Sequence, residues 1–280
     1  MTTTESETTT REGGSVTPVI LGGTRGGPSL PTLRTDRWWI QPIGTALVLT
    51  LFIGYSTWAI FVNRDYYTFD QQRNLISPFF SPCIASACSS IGHPGDLVPW
   101  WKLSPALLVA IFPLGFRATC YYYRKSYYRS FWFTPPACGV VDNHSSYSGE
   151  TKFPLILQNI HRYFLYFAAV VAAFLTADAV TSFRWPGDGI GVSVGTLVLI
   201  VNASLIWLYV LSCHACRHLC GGNLKHFSNH PIRHWIWRIL TPLNSKHMVF
   251  AWLSLVFIVF TDLYVRLVAS GAIHDFGVHL

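Results

Sequence analysis

Apolar residues gather into long runs along this chain, separated by links rich in aromatic and basic residues. A hydrocarbon core of about 30 Å needs roughly 20 apolar residues as helix. Five runs meet that length, near residues 43–62, 103–123, 161–183, 190–213 and 247–269. The second is the weakest, because its core P-A-L-L-V-A-I-F-P-L-G-F is short and runs straight into Arg117. Backbone in lipid must satisfy its own hydrogen bonds, so each run is expected to be a helix. The predicted architecture is all-α: an integral membrane bundle of five transmembrane helices over residues 37–280, with Trp38 and Trp39 as an entry belt. The first 36 residues are rich in Thr, Ser and Gly, contain no apolar run and carry no secretory signal. They are expected to form a disordered tail.

Composition strengthens this reading. Only 12% of residues are charged, about half of what a soluble domain carries. The net charge of +7 therefore points to basic loops at a membrane surface, not to nucleic-acid binding. Counted along the alternating links, fifteen Lys and Arg fall on the side of the N-terminus and five on the other. The positive-inside rule then places the N-terminus and the second and fourth links in the cytoplasm of a cell-membrane protein.

This topology sorts the candidate chemistry. Cys83 and Cys88 fall outside, where a disulfide or two free thiols are equally compatible with the spacing. Cys120, Cys138, Cys213, Cys216 and Cys220 fall inside or at inner helix ends. His161 opens the third span, His214 closes the fourth and His247 opens the fifth, so the three are expected at similar depth. If the fourth helix runs on through S-C-H-A-C-R-H-L-C-G-G, then His214 and His218 share a face beside a stripe of cysteines. Two Cys and two His suit zinc or a Rieske-type iron–sulfur centre, and two His from different helices suit a haem, with His161 and His247 the best pair. Set against these is a metal-free reading, in which interfacial histidines bind water or neighbouring carbonyls.

Arg117 and Arg124 flank Cys120 in F-R-A-T-C-Y-Y-Y-R-K-S-Y-Y-R-S-F-W. Charges near hydrocarbon usually face a partner or a polar cavity. Arg117, Tyr121, Arg124 and Tyr128 could hold a quinone head group by its carbonyl oxygens, while most of the tyrosines read as an aromatic belt. Asp262 and Arg266, four residues apart on the fifth helix, read as an intrahelical pair. No nucleotide-binding loop, hydrolytic triad or paired catalytic carboxylates stand in the sequence.

The stretches T-C-Y-Y-Y-R-K-S-Y-Y-R-S-F-W, P-P-A-C, F-P-L-I-L-Q-N-I-H-R-Y-F, S-C-H-A-C-R-H-L-C-G-G and S-K-H-M-V-F-A-W resemble the single-subunit membrane anchor of actinobacterial succinate dehydrogenases, from about Trp38 to His274. The resemblance implies flavoprotein and iron–sulfur partner subunits, and electron delivery to a membrane quinone, usually menaquinone. Five-helix anchors with two stacked haems place histidines in both membrane halves. Here the first two helices have none, which leaves at most a single haem b, on the inner side. The crowding of Cys beside His on that side favours a Rieske-like [2Fe–2S] centre, with Cys213, either Cys138 or Cys120, and two of His161, His214, His218 and His247 as expected ligands. The competing readings are a metal-handling membrane protein or transporter built on the His-rich link before the fifth span, and a cofactor-free structural anchor.

Overall fold

The computed structural model describes residue 32 and residues 34–68, 74–84, 104–144, 149–153, 155–185, 189–222 and 224–279. Most of the expected tail and Cys88 lie outside these residues.

The chain is a helical membrane bundle. Among the described residues, four helical stretches are long and apolar enough to cross a membrane: Ile40–Val62, Leu155–Thr181, Val194–Leu211 and His247–Ala269. Two helices that meet at a 75° bend, Ala106–Thr119 and Tyr121–Trp132, are apolar and long enough together to count as a fifth, broken span. In chain order the α-helices are α1 (Ile40–Val62), α2 (Ala106–Thr119), α3 (Tyr121–Tyr127), α4 (His161–Thr181), α5 (Val194–Leu211), α6 (His214–Gly221), α7 (Pro231–Ser245) and α8 (His247–Ala269). A π-helical turn, Tyr128–Trp132, extends α3, and a 3-10 stretch, Leu155–Ile160, leads into α4.

Helix α5 is the centre of the bundle, packed between α4 and α8, and α2 closes on α4. The core is built from α5 residues such as Leu199, Ile206 and Tyr209, with Leu165, Ala172 and Leu175 of α4 and Ala251, Leu255 and Val265 of α8. Helix α1 sits at the edge and leaves Ile43, Leu47, Leu51, Ile53 and Phe61 uncovered. Apolar surface on this scale in a helical bundle is a face for lipid tails. Close approach of α2 and α4 depends on Gly115, where a Cβ would lie 2.3 Å from the Phe164 ring. Small residues serve this purpose wherever membrane helices cross tightly.

The two ends of the bundle differ. One carries the starts of α1, α4 and α8, together with α3, α6 and α7, and holds most of the basic side chains. The other carries a three-stranded antiparallel sheet, β1 (Arg184–Trp185), β2 (Gly189–Ser193) and β3 (Gly277–His279), in the order β1-β2-β3. Ser193 caps α5 by accepting from the Thr196 amide at 3.1 Å. Cys83 near this end is disulfide-bonded.

Several local expectations are revised. The fourth span does not run on through the cysteine-rich segment. It ends at Leu211, turns at Ser212 and Cys213, and restarts as α6 in a new direction, while residues 189–193 are strand instead of helix. The second span breaks at Cys120, whose extended backbone (φ −61°, ψ 129°) separates α2 from α3. Trp38 is not a lipid-facing belt residue, because Ala137 and Val140 cover it. Helix α7 is an additional amphipathic helix at the basic end.

Candidate functional site

The helix interruptions gather four of the expected ligands. Cys120 lies between α2 and α3, His161 opens α4, Cys213 lies between α5 and α6, and His247 opens α8. The four meet as two pairs. His161 Nε2 lies 3.1 Å from Cys213 Sγ, and His247 Nε2 lies 3.4 Å from Cys120 Sγ. The pairs are neighbours across two rings: Phe116, against His161, lies edge-on to Tyr209 at 5.3 Å, and Tyr209 lies against His247.

The hydrogen bonds fix the ring tautomers. Thr119 Oγ1 gives its one proton to the Gly115 carbonyl at 2.7 Å, so toward His161 Nδ1, at 2.9 Å, it can only accept. Ser212 Oγ likewise donates to the Tyr209 carbonyl at 3.1 Å and accepts from His247 Nδ1 at 2.8 Å. Both histidines therefore carry their proton on Nδ1 and turn the Nε2 lone pair toward a cysteine sulfur. A hydroxyl behind each ring, setting its tautomer and angle, is the arrangement metal-binding histidines use. Aromatic rings complete the cradle: Phe116 stacks on His161 at 4.7 Å and Tyr209 on His247 at 5.1 Å.

Among the described residues, no three His, Cys, Asp or Glu side chains converge where a single ion could be held. A two-iron centre makes a different demand: four donors distributed around two metal atoms, with Cys and His together in the Rieske type. Two buried thiols and two lone-pair-bearing imidazoles, paired at helix ends, meet that chemical requirement.

The remaining expected ligands lie elsewhere. His214 and His218 do share a face of α6, but it is the exposed face. The extended backbone of Cys213 (φ −61°, ψ 139°) interrupts the helix before α6, so the spacing of α5 does not carry through to these two histidines. Cys138 is also exposed, in a loop whose carbonyl accepts from Arg34.

The four expected quinone residues are divided as well. Arg117, only 8% exposed, faces the core. Its guanidinium donates to Tyr123 Oη at 2.7 Å and Ser254 Oγ at 3.1 Å and lies 4.6 Å from the centre of the Tyr209 ring. Tyr121, Arg124 and Tyr128 line an open surface hollow, where Arg124 pairs with Glu150 at 2.8 Å.

Arg117 stands at the basic end of an apolar cavity of about 170 Å³ that extends along α1 and α2 toward Pro78 and Phe79. Ile53 and Leu114, both exposed on the lipid side, mark its mouth. Two of its lining residues, Tyr209 and Ser56, carry buried hydroxyls that have no hydrogen-bond partner among the described residues. Buried polar atoms are seldom left unpaired in a native structure, so each points to a ligand or a water. Neither residue could be picked out by sequence reasoning, because a Tyr and a Ser inside apolar runs carry no pattern of their own.

Residues 40–271 match the family model described as actinobacterial succinate dehydrogenase subunit SdhC. No curated protein sequence matches the chain. Among solved structures, a chain of the Mycobacterium smegmatis Sdh1 complex in the apo form is 47% identical and superposes with a TM-score of 0.81, over 91% of this chain and 97% of that one. A match over most of the length, from α1 to just beyond α8, takes in both Cys–His pairs and the cavity. The chain belongs to the family of actinobacterial succinate dehydrogenase membrane subunits, SdhC.

Proposed function

We propose that this chain anchors a flavoprotein and an iron–sulfur subunit to the cell membrane and passes electrons from them to a quinone, menaquinone by the family resemblance. The observation that carries the electron-transfer part is the double thiol–imidazole pairing at the helix breaks. Cys120, Cys213, His161 and His247 would hold a Rieske-like [2Fe–2S] centre. Such a centre supplies a one-electron relay within the membrane domain. Thr119 and Ser212 keep the Nε2 atoms unprotonated and aimed, and the surrounding aromatic rings exclude water.

A single haem b between His161 and His247 is less well supported, because each Nε2 is turned onto a sulfur. A cofactor-free anchor leaves two buried Cys–His pairs and two orphaned hydroxyls without a use. A transporter would call for broken helices and polar groups near the bilayer midplane. Here the breaks fall at the basic end. That end, read as cytoplasmic from its excess of Lys and Arg, offers a cationic platform on which an iron–sulfur partner docks.

The quinone is placed in the apolar cavity between α1 and α2. Its tail leaves past Ile53 and Leu114, and its ring lies toward Arg117 and Tyr209. Reduction to the quinol adds two electrons and two protons. The Arg117 guanidinium stabilises negative charge as it develops on the ring, and the Tyr209 hydroxyl donates to a carbonyl oxygen. Tyr209→Phe removes only that donor. A neutral hydrogen bond is worth about 0.5–1.5 kcal/mol, so a rise of roughly 3- to 10-fold in the quinone KM is expected, with succinate oxidation by a soluble dye unchanged.

Low-temperature electron paramagnetic resonance of the purified complex, oxidised and then reduced, tests the assignment. A reduced signal of low average g, beyond those of the soluble subunits, is expected. A low-spin ferric signal in the oxidised sample would establish the haem instead, and the absence of both would leave a structural anchor. Thr119→Val supplies a finer test, since it strips His161 Nδ1 of its acceptor. Loss of such an outer partner typically costs 10- to 100-fold in metal affinity. Faster loss of the low-g signal under a chelator is expected, with the soluble subunits' signals intact.

A further inference from the structure

The basic end holds a second polar cavity that electron transfer does not use. It has a volume of about 90 Å³ and lies between the start of α1, the α3–π-turn segment and the start of α8. Gln41 and Thr45 line it from α1; Lys125, Ser126, Arg129 and Ser130 line it from the opposite wall. Lys125 and Arg129 stand four residues apart, so they share a side of the helix. Neither belongs to an ion pair among the described residues. Among the described residues the Arg129 guanidinium makes one polar contact, a long one of 4.0 Å to Cys138 Sγ.

Ser130 is the independent sign of a ligand. It is 7% exposed, lines the cavity, and its hydroxyl has no partner among the described residues. It sits in the π-helical turn Tyr128–Trp132. Turns of this kind occur mostly as single-turn bulges in α-helices, and frequently at functional sites. The wall behind is fixed by Trp252, whose Nε1 donates to Tyr122 Oη at 2.7 Å.

Two unpaired cations and an orphaned hydroxyl in so small a space suit a phosphate group. The open hollow on the other side of Lys125 and Arg129, which line it as well, suits one less, because Glu150 engages Arg124 there and Asp142 forms part of its wall. The location says which phosphate. The cavity opens between the basic ends of two lipid-facing helices, where Ile40 and Ile43 of α1 and Met248 and Val249 of α8 are uncovered. A phosphate held here has acyl chains running down those apolar faces. We propose that Lys125, Arg129 and Ser130 bind the head-group phosphate of an anionic phospholipid in the leaflet at the basic end. Lys and Arg at a membrane surface recognise anionic lipid by this chemistry.

Native mass spectrometry of the complex, delipidated in detergent and titrated with phosphatidylglycerol or phosphatidylcholine, tests the site. The wild type is expected to retain phosphatidylglycerol in preference to phosphatidylcholine. The double variant Lys125→Gln/Arg129→Gln is expected to bind phosphatidylglycerol roughly 30-fold more weakly, the combined effect of two surface cations. Ser130→Val, which keeps both charges but fills the cavity, should weaken it as well and serves if the double variant does not assemble. Equal affinity of wild type and variants, or no preference of the wild type for the anionic lipid, overturns the proposal. Displacement of the lipid by millimolar inorganic phosphate also overturns it, and marks a free-anion site instead.

Discussion

Replacing Cys213 with serine is expected to abolish the low-g signal of the membrane domain and to lower succinate-driven quinone reduction by at least about 100-fold. That loss exceeds what changes behind a ligand usually cause. The substitution keeps the size of the side chain and its place between α5 and α6, but exchanges a soft sulfur donor for a hard hydroxyl that iron–sulfur irons hold poorly. Succinate oxidation by a soluble dye, which draws electrons from the partner subunits, should persist and shows that the complex still assembles. Cys216→Ser is the matched control. Cys216 is buried in α6 with Cys220 beside it, and among the described residues neither His161 nor His247 is turned onto it, so this variant should keep the signal. Retention of the signal in Cys213→Ser, or its loss in Cys216→Ser, would reassign the ligands within the segment S-C-H-A-C.

The contrast between those two cysteines shows what the sequence discloses here and what it hides. The spans are legible because a lipid core leaves one solution to a run of twenty apolar residues, and α8 begins and ends where the pattern predicts, at His247 and Ala269. The gathering of Cys and His at one end is legible for the same reason, since span ends fix depth. The membership of the site is not. Counting at 3.6 residues per turn through Cys213 makes His214 and His218 neighbours of the cysteines. The chain instead breaks at Ser212 and Cys213 with neither Gly nor Pro to announce it, and the two histidines turn outward. Cys120 is likewise set between two helices without a breaker residue beside it. In both places tertiary packing overrides local propensity, which a single sequence does not display. The roles of Thr119 and Ser212 follow only from the position of the imidazoles that they face.

The largest stability effect is expected at the other end of the bundle, from Asp262→Asn. The pair of Asp262 and Arg266 is readable from their spacing, and the structure contains it, with Arg266 Nε 2.8 Å from Asp262 Oδ2. What the spacing does not show is how much converges there. Asp262 is fully buried and also accepts from Tyr55 Oη at 2.6 Å and from Ser77 Oγ. Arg266 donates onward to the carbonyls of Ala59 and Arg64, each at 2.7 Å, and so satisfies the last turn of α1 and the second residue beyond its end. The network ties α8 to the peripheral helix α1 and to the segment before α2. Removing one charge of a buried pair leaves the other uncompensated, at about 3–5 kcal/mol. Asp262→Asn is therefore expected to lower the unfolding temperature of the complex markedly, read at a fixed scan rate because such unfolding is irreversible. The double replacement Asp262→Leu/Arg266→Met removes both charges and should cost less than the sum of its two single changes. It should not restore the wild type, because the carbonyls of Ala59 and Arg64 lose their donor. Quinone reduction per folded complex should be unchanged in Asp262→Asn, since both carboxylate oxygens are occupied by fixed partners. Normal stability together with slowed quinone reduction would refute the structural role and make Asp262 part of a proton path to the cavity whose far end is lined by Pro78 and Phe79.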